Sequence, residues 1–362
     1  MGFPFRKETV LTPDTTILSP EQATALVRGA FDGTSNSLPL NDVLPNMDNA
    51  EGLQVSWEAN TRVEDDEMPF SAFDAEAPYG KTTGAGATKM LKLMPLRKRM
   101  RTTEMDIIMN RGNSADWQRD KLTEYFQQLG TEAAFRLERA RADTIVKAKL
   151  DISENGLRGV SYDFGRDSSL ETTLGTSKKW SDSTVNPIKD IKAWKDKIKA
   201  VDGDKPTLML TTTTVMDALA ENPFIIKFAA TTEPDLERPQ VAYQNVINVF
   251  NQYAGVTPVT VDDQYDAYLR TQRIKFKGGV ETFFPENTVI LLPGAGGGLG
   301  ETAIGPTAET SITGYNIAGL GNGFIGAVFP SAGNQPGYEA YVTGTGLPVL
   351  RMANSTFKAT VM

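Results

Sequence analysis

The sequence predicts an α+β chain rather than a nucleotide-binding α/β fold, and three observations carry that reading. Residues 114–150 place Leu122, Phe126, Leu129, Ala133, Leu137 and Ala140 at spacings of three and four, the period of one long helix. Beyond residue 185, helical and strand patterns follow one another with long loops between them. The one loop that invites a nucleotide, in TVILLPGAGGGLGETAIG (288–305), fails both phosphate signatures: the dinucleotide fingerprint has Leu299 at its last glycine position, and no Gly-Lys-Ser/Thr follows. Ala303-Ile304-Gly305-Pro306-Thr307 cannot open a helix either, so the loop reads as a connection between strands.

Taken in order, residues 1–50 are punctuated by Pro4, Pro13, Pro20, Pro39 and Pro45, which leave room for one short helix, 20–28, ended by Gly29. Phe3, Phe5, Leu11, Ile17, Leu18, Leu38, Leu40, Val43 and Leu44 must then pack on the body or on a neighbouring chain. Residues 51–101 read as an extended hairpin, because Leu53, Val55 and Trp57 alternate with polar residues, as do Lys89, Leu91 and Leu93, around a glycine-rich tip at 79–87. Its arms differ in charge. Glu64, Asp65, Asp66 and Glu67 lie on the first arm, and Arg97, Lys98, Arg99 and Arg101 on the second, a segregation that points to docking between subunits as against two solvated faces.

The helix expected over 114–150, with Ser114 as its cap, would be ~55 Å long at 1.5 Å per residue, a strut rather than a core element. Further helices are expected at 187–200, 213–221 (stopped by Pro223) and 241–253, and strands at 206–210, 256–261, 288–292 and 347–361; residues 294–346 read as glycine-rich loop.

Composition removes most enzyme chemistry. The chain of 362 residues carries net charge −8 and contains neither cysteine nor histidine. Disulfides, thiolate nucleophiles, histidine triads and the usual zinc and haem sites are therefore excluded. No cofactor is expected. Asp262, Asp263 and Asp266, three acids in five residues, could hold a divalent ion, although Asp-Asp before a turn also reads as solvated or capping. No stretch is long and apolar enough to span a bilayer, and MGFPFRKETV lacks a signal peptide's apolar centre, so synthesis in the cytoplasm is expected.

Several segments together resemble a known family. Val160-Ser161-Tyr162-Asp163-Phe164-Gly165-Arg166, Trp180-Ser181-Asp182, Asn186 to Ile191, Val259 to Asp266, Phe284 to Pro293 and Gly300 to Thr307 are similar, in order and spacing, to the lambda-type (protein E) major capsid proteins of tailed phages. The resemblance spans about residues 50–361. It implies the fold named for phage Hong Kong ninety-seven, with an N-terminal arm (1–50), an extended β-hairpin loop (51–101), a spine helix and peripheral domain (102–184), an axial domain (185–344) and a C-terminal strand returning to the peripheral domain (345–362).

On that resemblance the chain is a structural protein, without catalysis, that assembles into hexamers and pentamers of an icosahedral shell enclosing double-stranded DNA. The further partners that the resemblance implies are a scaffolding protein, a portal and a decoration protein, and the location it implies is the virion, after synthesis in the bacterial host. The glycine-rich stretch would be a pliable loop at a local symmetry axis. Lys81 and Asn354 sit where some relatives form a lysine–asparagine cross-link, a reaction that also needs a buried carboxylate. An encapsulin-like compartment, a carboxylate-based hydrolase and a tail or decoration protein are the other readings.

Overall fold

The computed structural model describes residues 12–49, 52–58, 88–154, 159–201, 204–229, 240–262, 265, 284–294, 298–315, 317, 319–331 and 336–362. Pro20 at the first helical position and a capping box, in which Ser19 and Gln22 satisfy each other's backbone N–H groups, start α1 (Pro20–Ser35). The end expected at Gly29 is corrected: the helix runs on through Gly29 and Gly33. β1 (Asn46–Asp48) follows, and β2 (Gln54–Glu58) pairs with β3 (Thr88–Lys92) as the alternation predicts. β4 (Pro95–Arg101) joins a different sheet, so Arg97, Lys98, Arg99 and Arg101 do not lie on an arm of that ladder.

After α2 (Glu104–Met109), the long helix is present as α3 (Ser114–Lys147), 34 residues and thus ~51 Å. Ala148, at φ 48, turns the chain out of it into β5 (Lys149–Ile152), which pairs with β6 (Val160–Asp163). β7 (Glu171–Thr173), α4 (Pro187–Ala200), β8 (Leu208–Thr211) and α5 (Thr213–Glu221) come next. Pro223 ends α5 and opens α6 (Pro223–Ala229). α7 (Tyr243–Val249) continues as a π-helical turn to Ala254, closed by Gly255 in the left-handed conformation. β9 (Thr257–Thr260) and β10 (Thr288–Leu292) complete this part.

Residues 294–346 are not the loop that their glycine content suggests. They contain β11 (Gly300–Gly305), β12 (Ile325–Pro330) and most of β13 (Tyr338–Leu350); β14 (Phe357–Thr360) closes the chain. The glycines are there for close packing. A Cβ on Gly344 would lie 2.4 Å from the Phe324 ring, and one on Gly326 would lie 2.9 Å from the Ala23 backbone.

The chain divides into two compact units. The first comprises 1–55, 92–141 and 302–348; the second, 56–91, 142–301 and 349–362. The first unit is built on the sheet β1-β11-β13-β12, with β4 added to β13. α1 lies against β12: the Thr24 hydroxyl both accepts from the Gly326 N–H and donates to its carbonyl, and Phe31 meets Phe324 at 4.6 Å between ring centroids. Leu18, Leu38, Leu40, Val43 and Leu44 are buried here, so of the two hosts expected for them it is the chain's own body that takes them.

One ion pair fastens that packing. Arg141 and Glu138 of α3 are both fully buried and 2.8 Å apart. Arg141 also donates to Thr302 Oγ1 (2.8 Å), Asn41 Oδ1 (2.9 Å) and Asn46 Oδ1 (2.5 Å), while Glu138 accepts from the Leu40 N–H at 2.9 Å. Segment 40–46 and β11 are thereby tied to α3. A buried charge is tolerated only when paired and hydrogen-bonded in this way.

The second unit has the sheet β7-β14-β10-β8-β9. Its core joins the apolar faces of α4, α5 and α7 to β10 and β14, with Trp180, Trp194 and Phe357 stacked in series at 5.6 and 5.2 Å.

Candidate assembly surfaces

β4 is a seven-residue edge strand. It pairs antiparallel with β13, Arg97 opposite Thr343, Arg99 opposite Tyr341 and Arg101 opposite Glu339, and among the described residues with no other strand. Among the described residues its second edge has no partner strand, and such edges are commonly shielded with charge. Arg97, Lys98 and Arg99 are exposed and Arg101 is half-buried. Strand alternation sends Arg97, Arg99 and Arg101 to one face and Lys98 to the other.

Part of that charge is already answered within the first unit. Lys98 reaches Glu132 of α3 at 2.5 Å and Arg99 reaches Glu339 at 3.1 Å, both with the basic side chain mostly in solvent. Such exposed pairs are worth about 0–1 kcal/mol and are readily exchanged for another carboxylate. Arg101 also interacts within the chain.

α2 follows β4 directly. Thr103 caps it, its hydroxyl accepting from the Asp106 N–H at 3.1 Å. Met105, Ile108 and Met109, at the spacings that share one helical face, are 71%, 59% and 75% exposed. Segment 95–109 thus joins a basic strand to an apolar turn, the mixture of apolar centre and polar rim found at protein interfaces. The sequence reading singled out only its basic half; four apolar residues in the six of EMDIIM were the signal for the rest.

The acidic residues Glu64, Asp65, Asp66 and Glu67, and Lys81, lie outside the described residues. So do Asp263 and Asp266. Asp262 is described, and its Oδ2 accepts from the Thr213 N–H at 2.7 Å, which makes it a cap for α5. Among the described residues no group of carboxylates is arranged to hold a metal ion, and no helix is long and apolar enough to cross a membrane. Asn354 Oδ1 accepts from the Asp167 N–H at 2.9 Å. At the glycine-rich loop, the Gly294 N–H donates to Thr207 Oγ1 and β11 begins at Gly300, so the described residues there offer no helix N-terminus to a phosphate.

Comparison with known proteins agrees with this architecture. The family model described as phage major capsid protein E matches residues 67–361. A prophage capsid protein from Escherichia coli CFT073 has a similar structure, with TM-score 0.60 and 14% identity over 95% of this chain and 99% of that one. A phage-related protein from Bordetella bronchiseptica RB50 gives TM-score 0.53 and 12% identity over 96% and 97%. No curated protein sequence matches. At such identities the structures speak for the fold and the family model for the lineage. The chain belongs to the phage major capsid protein E family: it has the Hong Kong ninety-seven fold and is a structural protein of a capsid shell.

Proposed function

We propose that the shell is that of a virion enclosing double-stranded DNA, that the chain performs no catalytic step, and that segment 95–109 is a contact surface between subunits. The observation that carries the last point is the juxtaposition just described: an edge strand bearing Arg97, Lys98, Arg99 and Arg101, followed at once by an exposed apolar turn. Its counterpart is the acidic run Glu64, Asp65, Asp66 and Glu67 of a neighbouring subunit. Opposite charges on two segments of one chain give every subunit both halves of a repeating contact.

Packaged DNA would meet the inner face through its phosphates without sequence reading. A portal, and scaffolding and decoration proteins if the virus encodes them, are further partners, and assembly takes place in the host cytoplasm. The test is reciprocal charge reversal. Asp65→Lys with Asp66→Lys should give folded subunits that do not assemble, and Arg97→Glu with Arg99→Glu should restore shells when combined with it. Normal shells from the acidic double variant alone would refute the docking.

A further inference from the structure

The second unit carries a run of lysines that its own acids leave unanswered. Asn186 caps α4 by accepting from the Ile188 N–H at 3.1 Å, Pro187 fills the first helical position, and Ile188, Ile191, Trp194 and Ile198 bury one stripe of the helix in the core. That stripe fixes what the other side shows. Lys189, Lys192 and Lys199 are exposed, and Lys195 is half-buried beside them. Spaced by three, three and four residues, the four follow one side of the helix over ~15 Å.

Among the described residues none of the four forms an ion pair, and nor does Lys205 just beyond the helix. Elsewhere the unit pairs even its exposed lysines: Lys147 and Lys149, each more than half exposed, meet Asp143 and Asp163 at 2.7 and 2.9 Å. Of the helix's two acids, Asp190 accepts from the Trp180 indole N–H at 3.0 Å and Asp196 is exposed. The lysines act on one another instead. Burial first, then the charges of Lys205 and Lys192, hold Lys195 below the usual lysine value, although its ammonium donates to the Ala254 and Gly255 carbonyls at 2.7 and 3.2 Å.

The composition of this face selects its partner. Lysine, aspartate and alanine are depleted where proteins meet, and Ala193 and Ala200 are the apolar residues that α4 exposes. Residues 178–205 contain eight lysines and no arginine, in a chain of net charge −8. Arginine's planar fork asks for a fixed, bidentate geometry, whereas the compact ammonium on its flexible stem meets phosphates as a point charge in any register. Duplex DNA offers about one phosphate charge per 1.7 Å of its axis. We propose that the lysine side of α4, Lys189, Lys192, Lys195 and Lys199 with Lys205, meets the phosphates of packaged DNA, so that this side of the second unit lines the interior of the virion proposed above, a reading on which the assignment rests. The contact senses charge and no base sequence.

Two measurements test it on the full chain. Lys189→Gln, Lys192→Gln and Lys199→Gln together remove three charges and leave Lys195, which holds the backbone at 254–255, in place. Subunits of this variant should unfold at the same denaturant as wild type. Titrated with a short labelled duplex of random sequence at several salt concentrations, they should bind more weakly, with a slope of log K against log salt shallower by ~2.7, about 0.9 for each phosphate no longer neutralised. Wild-type subunits that hold the duplex no better than the variant would overturn the proposal. So would displacement of the duplex by polyglutamate more readily than by unlabelled DNA of equal charge, which would make the partner an acidic protein. Formaldehyde fixation of DNA-filled particles should link DNA to the peptide spanning 187–200. Links confined to other peptides would overturn this inference alone, whereas closed particles that hold no DNA would sink the virion reading itself.

Discussion

Gly130 sits in the middle of α3 where α1 crosses it, and replacing it should cost stability even though alanine is the better helix former. A Cβ at this position would lie 2.5 Å from the Val27 carbonyl oxygen, 3.1 Å from Ala30 Cβ and 3.2 Å from the Phe31 nitrogen. The first contact is about 1 Å too short and involves backbone, so α1 itself must move. Helix propensity returns about 1 kcal/mol for Gly→Ala, and overpacking a close contact costs about 1–3 kcal/mol. The net loss is then ~0–2 kcal/mol, a fall of up to a few degrees in Tm at ~2–4 °C per kcal/mol. Gly29→Ala and Gly33→Ala are the controls: both glycines lie in α1, are exposed, and have nothing within 4 Å of an added Cβ. They should raise Tm by up to a few degrees through propensity alone. Thermal unfolding of the three variants, followed by circular dichroism at 222 nm, measures all of this. A Gly130→Ala variant as stable as Gly29→Ala would refute the reasoning, because it would mean that α1 does not lie against α3 at this distance.

Three further outcomes are expected. Arg141→Met strands Glu138 as a buried charge and should cost about 3–5 kcal/mol, whereas Arg141→Met with Glu138→Leu should recover most of it; denaturant titration of both checks the pair. Asp163 is held below the usual carboxylate range, first by its hydrogen bond from Lys149 and further by the Gly165 N–H. The stability it contributes is present above an unfolded pKa of about 3.9 and is lost as pH falls through its lower folded value, so Asp163→Asn should lower the unfolding midpoint at pH 7 and leave it unchanged at the most acid pH where the fold survives. Finally, if charge joins segment 95–109 to its neighbour, assembly followed by light scattering should weaken as the Debye length falls from ~10 Å at 0.1 M salt to ~3 Å at 1 M; assembly indifferent to salt would contradict the docking.

The sequence was most legible where structure depends on local periodicity. α3, α4, α5 and β10 lie within a few residues of where their patterns put them, because an apolar stripe and a capping residue are local facts. It was least legible where glycine serves packing. Gly29 carries the same local signal as a helix stop, yet α1 continues because Val27 and Phe31 are held in the first unit's core. Gly344 and Gly346 read as loop, although what they meet is Phe324 in one case and Ile304 in the other. The partner of β4 was hidden for a related reason: Arg99 and Tyr341 are 242 residues apart, and a basic run looks the same on a hairpin arm as on a sheet edge. Arg141 was missed because charged residues are presumed to face solvent; the clue was its place beside Leu137 and Ala140 on the apolar side of α3.

The central claim is that this chain builds a shell, and electron microscopy of the purified protein tests it most directly. Full-length protein at assembly concentration should give closed particles of uniform size with icosahedral symmetry, whose averaged density accommodates the two units and the long helix α3 in every subunit. A preparation that stays monomeric across salt and concentration while its circular dichroism shows a folded chain, or that forms only open tubes and aggregates, would contradict the account.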